Sequence, residues 1–167
     1  MAIERQATNV RRSIPKQDVA LCSRPTHALS SRNLGASVMA QHVCNGATLQ
    51  CSFGVAPSSL VVLPVRRVNT SSQPAATIMD FQPMVNIPSF GMCMSPANPA
   101  VAAATAAALG VLTPMPCIPM TVSPWVPGTP TVTLGQIPSL DNNCQLMCMW
   151  AGVIKVVVPG QFTHNIP

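Results

Sequence analysis

The pattern of apolar and polar positions along the chain changes near Met39. Before it, Arg, Ser and Asn are frequent and the apolar residues follow no period. From Val43 onward, apolar residues dominate and turn-forming residues interrupt them at short intervals. This pattern predicts a basic N-terminal extension at residues 1–38, a folded domain at residues 39–161 and a short C-terminal tail at residues 162–167.

Six short segments of the domain predict β-strands; the first alternates in polarity and the second is rich in Val. They are residues 47–53, 60–68, 76–79, 131–134, 146–149 and 153–158. The first follows the turn pair Asn45-Gly46, and the second contains Pro64, which restricts it to a sheet edge or a bend. We therefore expect small sheets joined by many turns.

One segment has the start and stop signals of a helix. Asn98 is a good N-cap, Pro99 suits the first helical position, and Gly110 suits a left-handed stop. These signals predict a helix over about residues 99–109. Because its side chains are small and apolar on every side, we expect it to be buried against a sheet or a partner.

The 18 prolines favour short elements, since each one removes a backbone donor and fixes φ. Two stretches also resemble each other: residues 57–62 followed by 74–80, and residues 128–133 followed by 138–141. A cysteine precedes and follows each copy: Cys51 and Cys93 for the first, Cys117 and Cys148 for the second. The sequence thus predicts a compact, mainly β body built of two pseudo-repeats with one buried Ala-rich helix.

The composition narrows the class of protein. Charged residues make up 8% of the chain against roughly 25% in ordinary soluble domains, and mean hydropathy is +0.36. Hydrophobic content of 48% argues against disorder, no apolar run is long enough to span a bilayer, and the mixed charges of the first 20 residues argue against a secretory signal. We infer that another protein covers much of the surface.

Most of the charge lies in the extension, which holds six of the nine basic and two of the four acidic residues. The extension has no aromatic residue for base stacking and no basic run longer than Arg11-Arg12, so we expect no nucleic-acid binding. A polar arm that docks on a neighbouring subunit or stays mobile is the better interpretation.

Several motifs together carry a family resemblance. They lie at residues 43–54, 57–60, 75–80, 90–93, 95–99, 114–117, 124–132 and 146–152. In this order, over about residues 39–161, they resemble the PAAR-like family of bacterial contractile injection systems. The resemblance implies a small cone that caps a trimeric β-helical spike, one cone per trimer, and sharpens it for membrane puncture. It also implies assembly in the bacterial cytoplasm, delivery outside the cell, transient membrane contact and effectors as possible cargo.

The PAAR pattern binds zinc through mainly His and one Cys, and this sequence departs from it. Its three histidines, His27, His42 and His164, lie outside the repeat, and cysteines occupy the comparable places. A chain made in a reducing compartment keeps its thiols free, which favours a structural zinc site over disulfides. The expected ligands are the repeat-flanking thiols Cys51, Cys93, Cys117 and Cys148.

Other residues receive lesser roles. His42 and Cys44 are reserve ligands, whereas Cys22 and Cys144 are not expected to bind metal. The alternative for all the thiols is that they are simply small buried apolar side chains. Trp125 and Trp150 are predicted packing anchors that also contact a partner.

Asp80 and Asp141 end matching strands and are expected to cap turns rather than to form a catalytic pair. The sequence therefore predicts a non-enzymatic spike-tip protein. The alternative is an effector-loading adaptor that acts through residues 1–38, and a metal-dependent enzyme is the third possibility.

Overall fold

The computed structural model of the chain describes residues 39–167, so the expectations for residues 1–38, including Cys22 and His27, lie outside the described residues. The described part is mainly β, as predicted. Its elements, in chain order, are β1 (Ala40–Gln41), β2 (Thr48–Cys51), β3 (Ser58–Ser59), β4 (Asn69–Thr70), β5 (Gln73–Pro74), β6 (Met92–Cys93), α1 (Pro99–Ala107), β7 (Met115–Pro116), β8 (Thr129–Leu134), β9 (Ile137–Ser139), β10 (Gln145–Met147), β11 (Val153–Val158) and β12 (Asn165–Ile166).

The largest sheet has four antiparallel strands in the order β10-β11-β2-β3. Its centre joins distant parts of the chain, since Cys51 of β2 lies opposite Ile154 of β11. Side chains alternate across this sheet: Leu49 and Ile154 are buried, whereas Gln50 and Lys155 are exposed. One face of the sheet therefore covers the core and the other faces outward.

The remaining strands of the described residues form two-stranded pairs, β1-β12, β4-β5, β6-β7 and β8-β9. Isolated backbone bridges attach further segments to these strands, as Thr77 does to Ser139 of β9. Ile78 donates to Pro138 O and Leu140 donates to Ala76 O, so the proline-led segments of the two predicted repeats lie side by side. Frequent prolines explain why none of these ladders grows longer.

Four of the six strand predictions overlap a strand of the structure. Residues 153–158 coincide with β11, and three further predictions overlap β2, β8 and β10. The prediction for residues 60–68 is wrong, because Pro64–Arg66 forms a 3-10 turn that Arg67 closes in the left-handed region at φ 54°. Residues 76–79 contribute a single bridge at Thr77 and no strand.

Helix α1 begins as predicted, with Asn98 Oδ1 accepting a hydrogen bond from Ala100 N at 3.0 Å. It ends at Ala107, two residues early, because Leu109 and Gly110 adopt left-handed φ values of 54° and 90°. The expectation that the helix is buried is wrong within this chain, since Val101 is its only buried residue. Its alanines contribute apolar surface to the exterior.

The largest fully buried side chains include Trp125, Phe90, Leu49, Leu60 and Ile87. The C-terminal residues also belong to the folded unit, because β12 pairs with β1 in the register Ala40 to Ile166 and Gln41 to Asn165. Residues 162–167 are therefore anchored by β12 and do not form a separate tail. No helix among residues 39–167 is long and apolar enough to cross a membrane.

Candidate metal centre

The four repeat-flanking thiols converge near one end of the four-stranded sheet. Cys51 ends β2 and Cys148 directly follows β10, and the antiparallel register places both at the same end of the ladder. Gly152 lies between them: a Cβ built there would be 3.0 Å from Cys51 Sγ and 3.5 Å from Cys148 Cβ. The first and second repeat thus each bring a thiol to this place.

The β6-β7 pair brings the other two thiols. Cys93 lies in β6 and forms a backbone bridge with Gly54, three residues after Cys51. Cys117 follows β7, and its backbone N–H donates to Gly91 O at 2.8 Å. All four thiols are buried, with exposed fractions between 4% and 7%. They therefore share one dry region of the domain.

Burial and the neighbouring thiols both change the pKa of two of these cysteines. Burial raises the pKa of Cys117, and the charges of Cys93, Cys51 and Cys148 raise it further, against a lowering hydrogen bond from the Phe90 backbone. Burial also raises the pKa of Cys51, with smaller contributions from Cys148 and Cys93. Without a cation, the thiols of Cys51 and Cys117 therefore remain protonated at neutral pH, whereas a bound divalent metal ion would favour their thiolates.

The chemistry of the four thiols favours a metal site, whereas their arrangement in the structure does not. Four thiols are a good chemical fit to structural zinc. Yet no group of three or more His, Cys, Asp or Glu side chains within residues 39–167 is arranged as a metal site. A metal ion would therefore have to draw the four sulfur atoms closer together than they lie in this structure.

The reserve ligands have partners elsewhere. The Nδ1 atom of His42 lies 3.0 Å from Thr70 Oγ1 and its Nε2 atom lies 3.3 Å from Ala76 O. Cys44 Sγ donates to Pro159 O at 3.6 Å, and burial raises the pKa of its thiol. The structure does not bring either residue into the four-thiol cluster.

Cys144, which was not expected to bind metal, forms hydrogen bonds with Asp141 and Gly128. Its Sγ donates to Asp141 Oδ1 at 3.2 Å and accepts from Gly128 N at 3.3 Å. Burial is the largest cause that raises the pKa of Cys144 to about 11. The side chain of Asp141 raises it further by its hydrogen bond and its charge, whereas backbone hydrogen bonds from Asp141 and Gly128 lower it. This thiol has a structural role.

The two aspartates cap turns, which confirms the prediction. Asp80 Oδ2 accepts from Thr77 N at 2.7 Å and from Thr77 Oγ1 at 2.9 Å. Asp141 accepts from Thr129 Oγ1 at 2.7 Å and from Asn143 N at 2.8 Å. Each carboxylate therefore stabilises the turn in which it lies.

The two tryptophans differ. Trp125 is 1% exposed, and its Nε1 donates to Asp80 O at 3.0 Å. The prediction of a partner contact is wrong for Trp125, because the domain's own core covers the ring. Trp150 is half-buried and donates to Ile118 O at 3.0 Å, which leaves part of its ring available to a partner.

Large apolar side chains are unusually frequent on the exterior. Residues 39–167 expose twenty-one of them, whereas the same range contains five charged side chains. The most exposed are Leu109 at 97%, Val65 at 79% and Met39 at 70%. A soluble domain rarely leaves so much apolar surface without a partner.

The fold and the thiol cluster define a small proline-rich β domain with an apolar exterior. The chain belongs to the family described as a domain of unknown function, DUF4280, whose family model matches residues 43–161. The matched range contains all four clustered cysteines. No curated protein and no solved structure matches the chain.

Proposed function

We propose that this protein is a non-enzymatic spike-tip protein, a cap that sharpens the end of a trimeric β-helical spike of a contractile injection system. The PAAR-like motifs of residues 39–161 support the proposal. The observation that carries it is the exposed apolar surface, because the described residues expose many large apolar side chains and carry very few charges.

The energetics favour a permanent partner over a transient one. Burying apolar surface contributes about 25 cal/mol per Å², whereas leaving it in water promotes association. Obligate interfaces are more apolar than transient ones and resemble a core cut in half. The apolar helix α1, with Leu109 exposed just beyond its end, suits such an interface better than it suits water.

Zinc is the second part of the proposal. Cys51, Cys93, Cys117 and Cys148 would hold the ion as thiolates, and the ion would crosslink segments that a small core holds only weakly. The crosslink would tie β2, β6 and the chain after β7 and β10 to one point. That would stiffen a body that transmits force during puncture and needs no chemistry of its own.

Purification of the full chain, alone and with a trimeric β-helical spike protein, tests the proposal. We expect the chain alone to self-associate, and the mixture to yield a complex with one chain per trimer, visible by electron microscopy. A well-behaved monomer that shows no association with itself or with the spike would contradict it. The spike protein alone serves as the control for trimer integrity.

A further inference from the structure

The C-terminal segment is fastened to the domain by one buried amide. Gln161 is 4% exposed, and its Nε2 donates to His42 O at 2.6 Å and to His164 O at 2.9 Å. Its Oε1 accepts from Thr163 N at 2.8 Å and from His164 N at 2.7 Å. Both donors and both acceptor positions of the amide are used, which fixes the turn that leads into β12.

The imidazole of His42 lies beneath this turn and is 1% exposed. A carbonyl oxygen only accepts, so Nε2 carries the proton that is shared with Ala76 O, and Nδ1 accepts from the Thr70 hydroxyl. The neutral ring is therefore satisfied at both nitrogen atoms. The His164 ring lies with its centroid 5.5 Å from that of His42.

Two titratable groups face His42. The charge of His164 disfavours protonation of His42, whereas the buried carboxylate of Asp141 favours protonation of His42. Asp141 is already engaged by Thr129, Asn143 and Cys144. Burial is the largest influence and lowers the pKa of His42 below its ordinary 6.5, although the Ala76 carbonyl and Asp141 offset part of that effect.

We infer that His42, Gln161 and His164 form an acid-sensitive latch, in which proton uptake by His42 releases β12 from β1. In the closed state a charged His42 would be buried beside His164, whereas in the open state water solvates it. His42 therefore supports the closed state above about pH 6.5, and that support is lost as pH falls from 6.5 toward the lower pKa of the closed state. Release exposes the edge of β1 and frees residues 161–167.

The latch does not rest on the proposed spike-tip function, because it involves none of the four clustered cysteines. His42 and His164, together with β1 and β12, lie outside residues 43–161, the range that matches the family, and Gln161 is the last residue of that range.

Hydrogen exchange of the full chain tests the latch. The protection of residues 161–167, corrected for the intrinsic rate of an unstructured peptide, is measured by mass spectrometry between about pH 7.5 and about pH 5.5. Uptake of one proton on opening predicts a loss of protection of up to about tenfold per pH unit below 6.5. Protection in β2 and β11 should stay constant. Protection of residues 161–167 that does not change with pH would overturn the inference.

Two variants assign the effect to the histidines. His42→Gln keeps an acceptor and a donor but removes the titrating group, so protection should no longer depend on pH. His164→Gln removes the opposing charge, and the loss of protection in acid should become smaller. Acid sensitivity equal to that of the unmodified chain in both variants would overturn the inference. If His42→Gln does not fold, the ring titration of His42 by NMR decides: a pKa at or above 6.5 would also overturn it.

The variant Gln161→Glu should adopt the open state at neutral pH, and it therefore shows the hydrogen exchange expected of that state. Its carboxylate would face the carbonyl oxygens of His42 and His164 at neutral pH, so residues 161–167 should be unprotected there. Gln145→Glu is the matched control, because Gln145 is exposed on β10 in a different sheet. Full protection of residues 161–167 in Gln161→Glu would contradict the role given to this amide.

Discussion

A Cβ at Gly152 would lie 3.0 Å from the Sγ atom of Cys51, closer than nearly all real Cβ contacts. The same position is 3.5 Å from Cys148 Cβ, so the glycine makes room for both thiols. A residue without a side chain is therefore part of what brings the two repeats together. Glycines are used in this way where two segments approach closely.

Gly152→Ala should lower the free energy of unfolding by about 1–3 kcal/mol, because the added methyl group overpacks a buried contact. Urea denaturation with a metal chelator present measures this cost apart from metal binding. In a Cys51→Ala background the sulfur is absent, and the same substitution should cost less. An equal cost in both backgrounds would show that Cys51 does not set the tightness of this contact.

The full chain purified without chelator should contain about one zinc ion, as a closed four-thiolate site requires. Cys117→Ser should lower the zinc content and the melting temperature, because the crosslink is then incomplete. Elemental analysis and a thermal melt measure the two effects. Cys144→Ser, which alters another buried thiol, should retain its zinc. A content below half an ion per chain, or unchanged zinc and melting in Cys117→Ser, would reject the metal site.

The sequence predicts Cys51, Cys93, Cys117 and Cys148 as a group because these cysteines flank the two repeats. The two copies also contact each other in the structure, where Thr77 of the first forms a backbone bridge with Ser139 of the second. A strand prediction also succeeds at β11, where buried and exposed side chains alternate. They fail at residues 60–68, where Pro64 turns a Val-rich segment into a 3-10 turn.

The latch could not be predicted from the sequence. Asn165–Ile166 has no strand pattern of its own, and its partner β1 lies more than a hundred residues earlier in the chain. Nothing local to His42 indicates that Gln161 will hold it. The exposure of α1 was also not predictable, because a helix that is apolar on every side predicts only that something covers it.

Trp125→Phe should destabilise the domain by about 1–3 kcal/mol, because it leaves Asp80 O without its indole donor in the core. Trp150→Phe removes a similar hydrogen bond from a more exposed ring and should cost less. Chemical denaturation of both variants compares them. A smaller cost at Trp125 than at Trp150 would contradict the assignment of Trp125 to the core.

Leu109→Ser should reduce self-association of the isolated full chain and change the free energy of unfolding by less than about 0.5 kcal/mol. The reason is that Leu109 is 97% exposed, so the folded domain loses almost no packing. Analytical ultracentrifugation measures the association. Val101→Ser is the contrasting variant, since Val101 is the buried residue of α1 and its loss should destabilise the domain. Unchanged association of Leu109→Ser would exclude Leu109 from the apolar docking surface.

Cys144 should make stability depend on pH in the alkaline range. Its pKa is raised from 9.0 to about 11 in the folded domain, so the unfolded chain loses the thiol proton first as pH rises. The stabilisation is complete below 9.0 and is lost progressively from there toward about 11. Urea denaturation across this range should show a shallower loss of stability in Cys144→Ala than in the unmodified chain.

Iodoacetamide should likewise alkylate Cys144 slowly in the folded protein and at the ordinary thiol rate in urea. Rapid alkylation of folded Cys144 at neutral pH would contradict the buried, Asp141-bonded thiol.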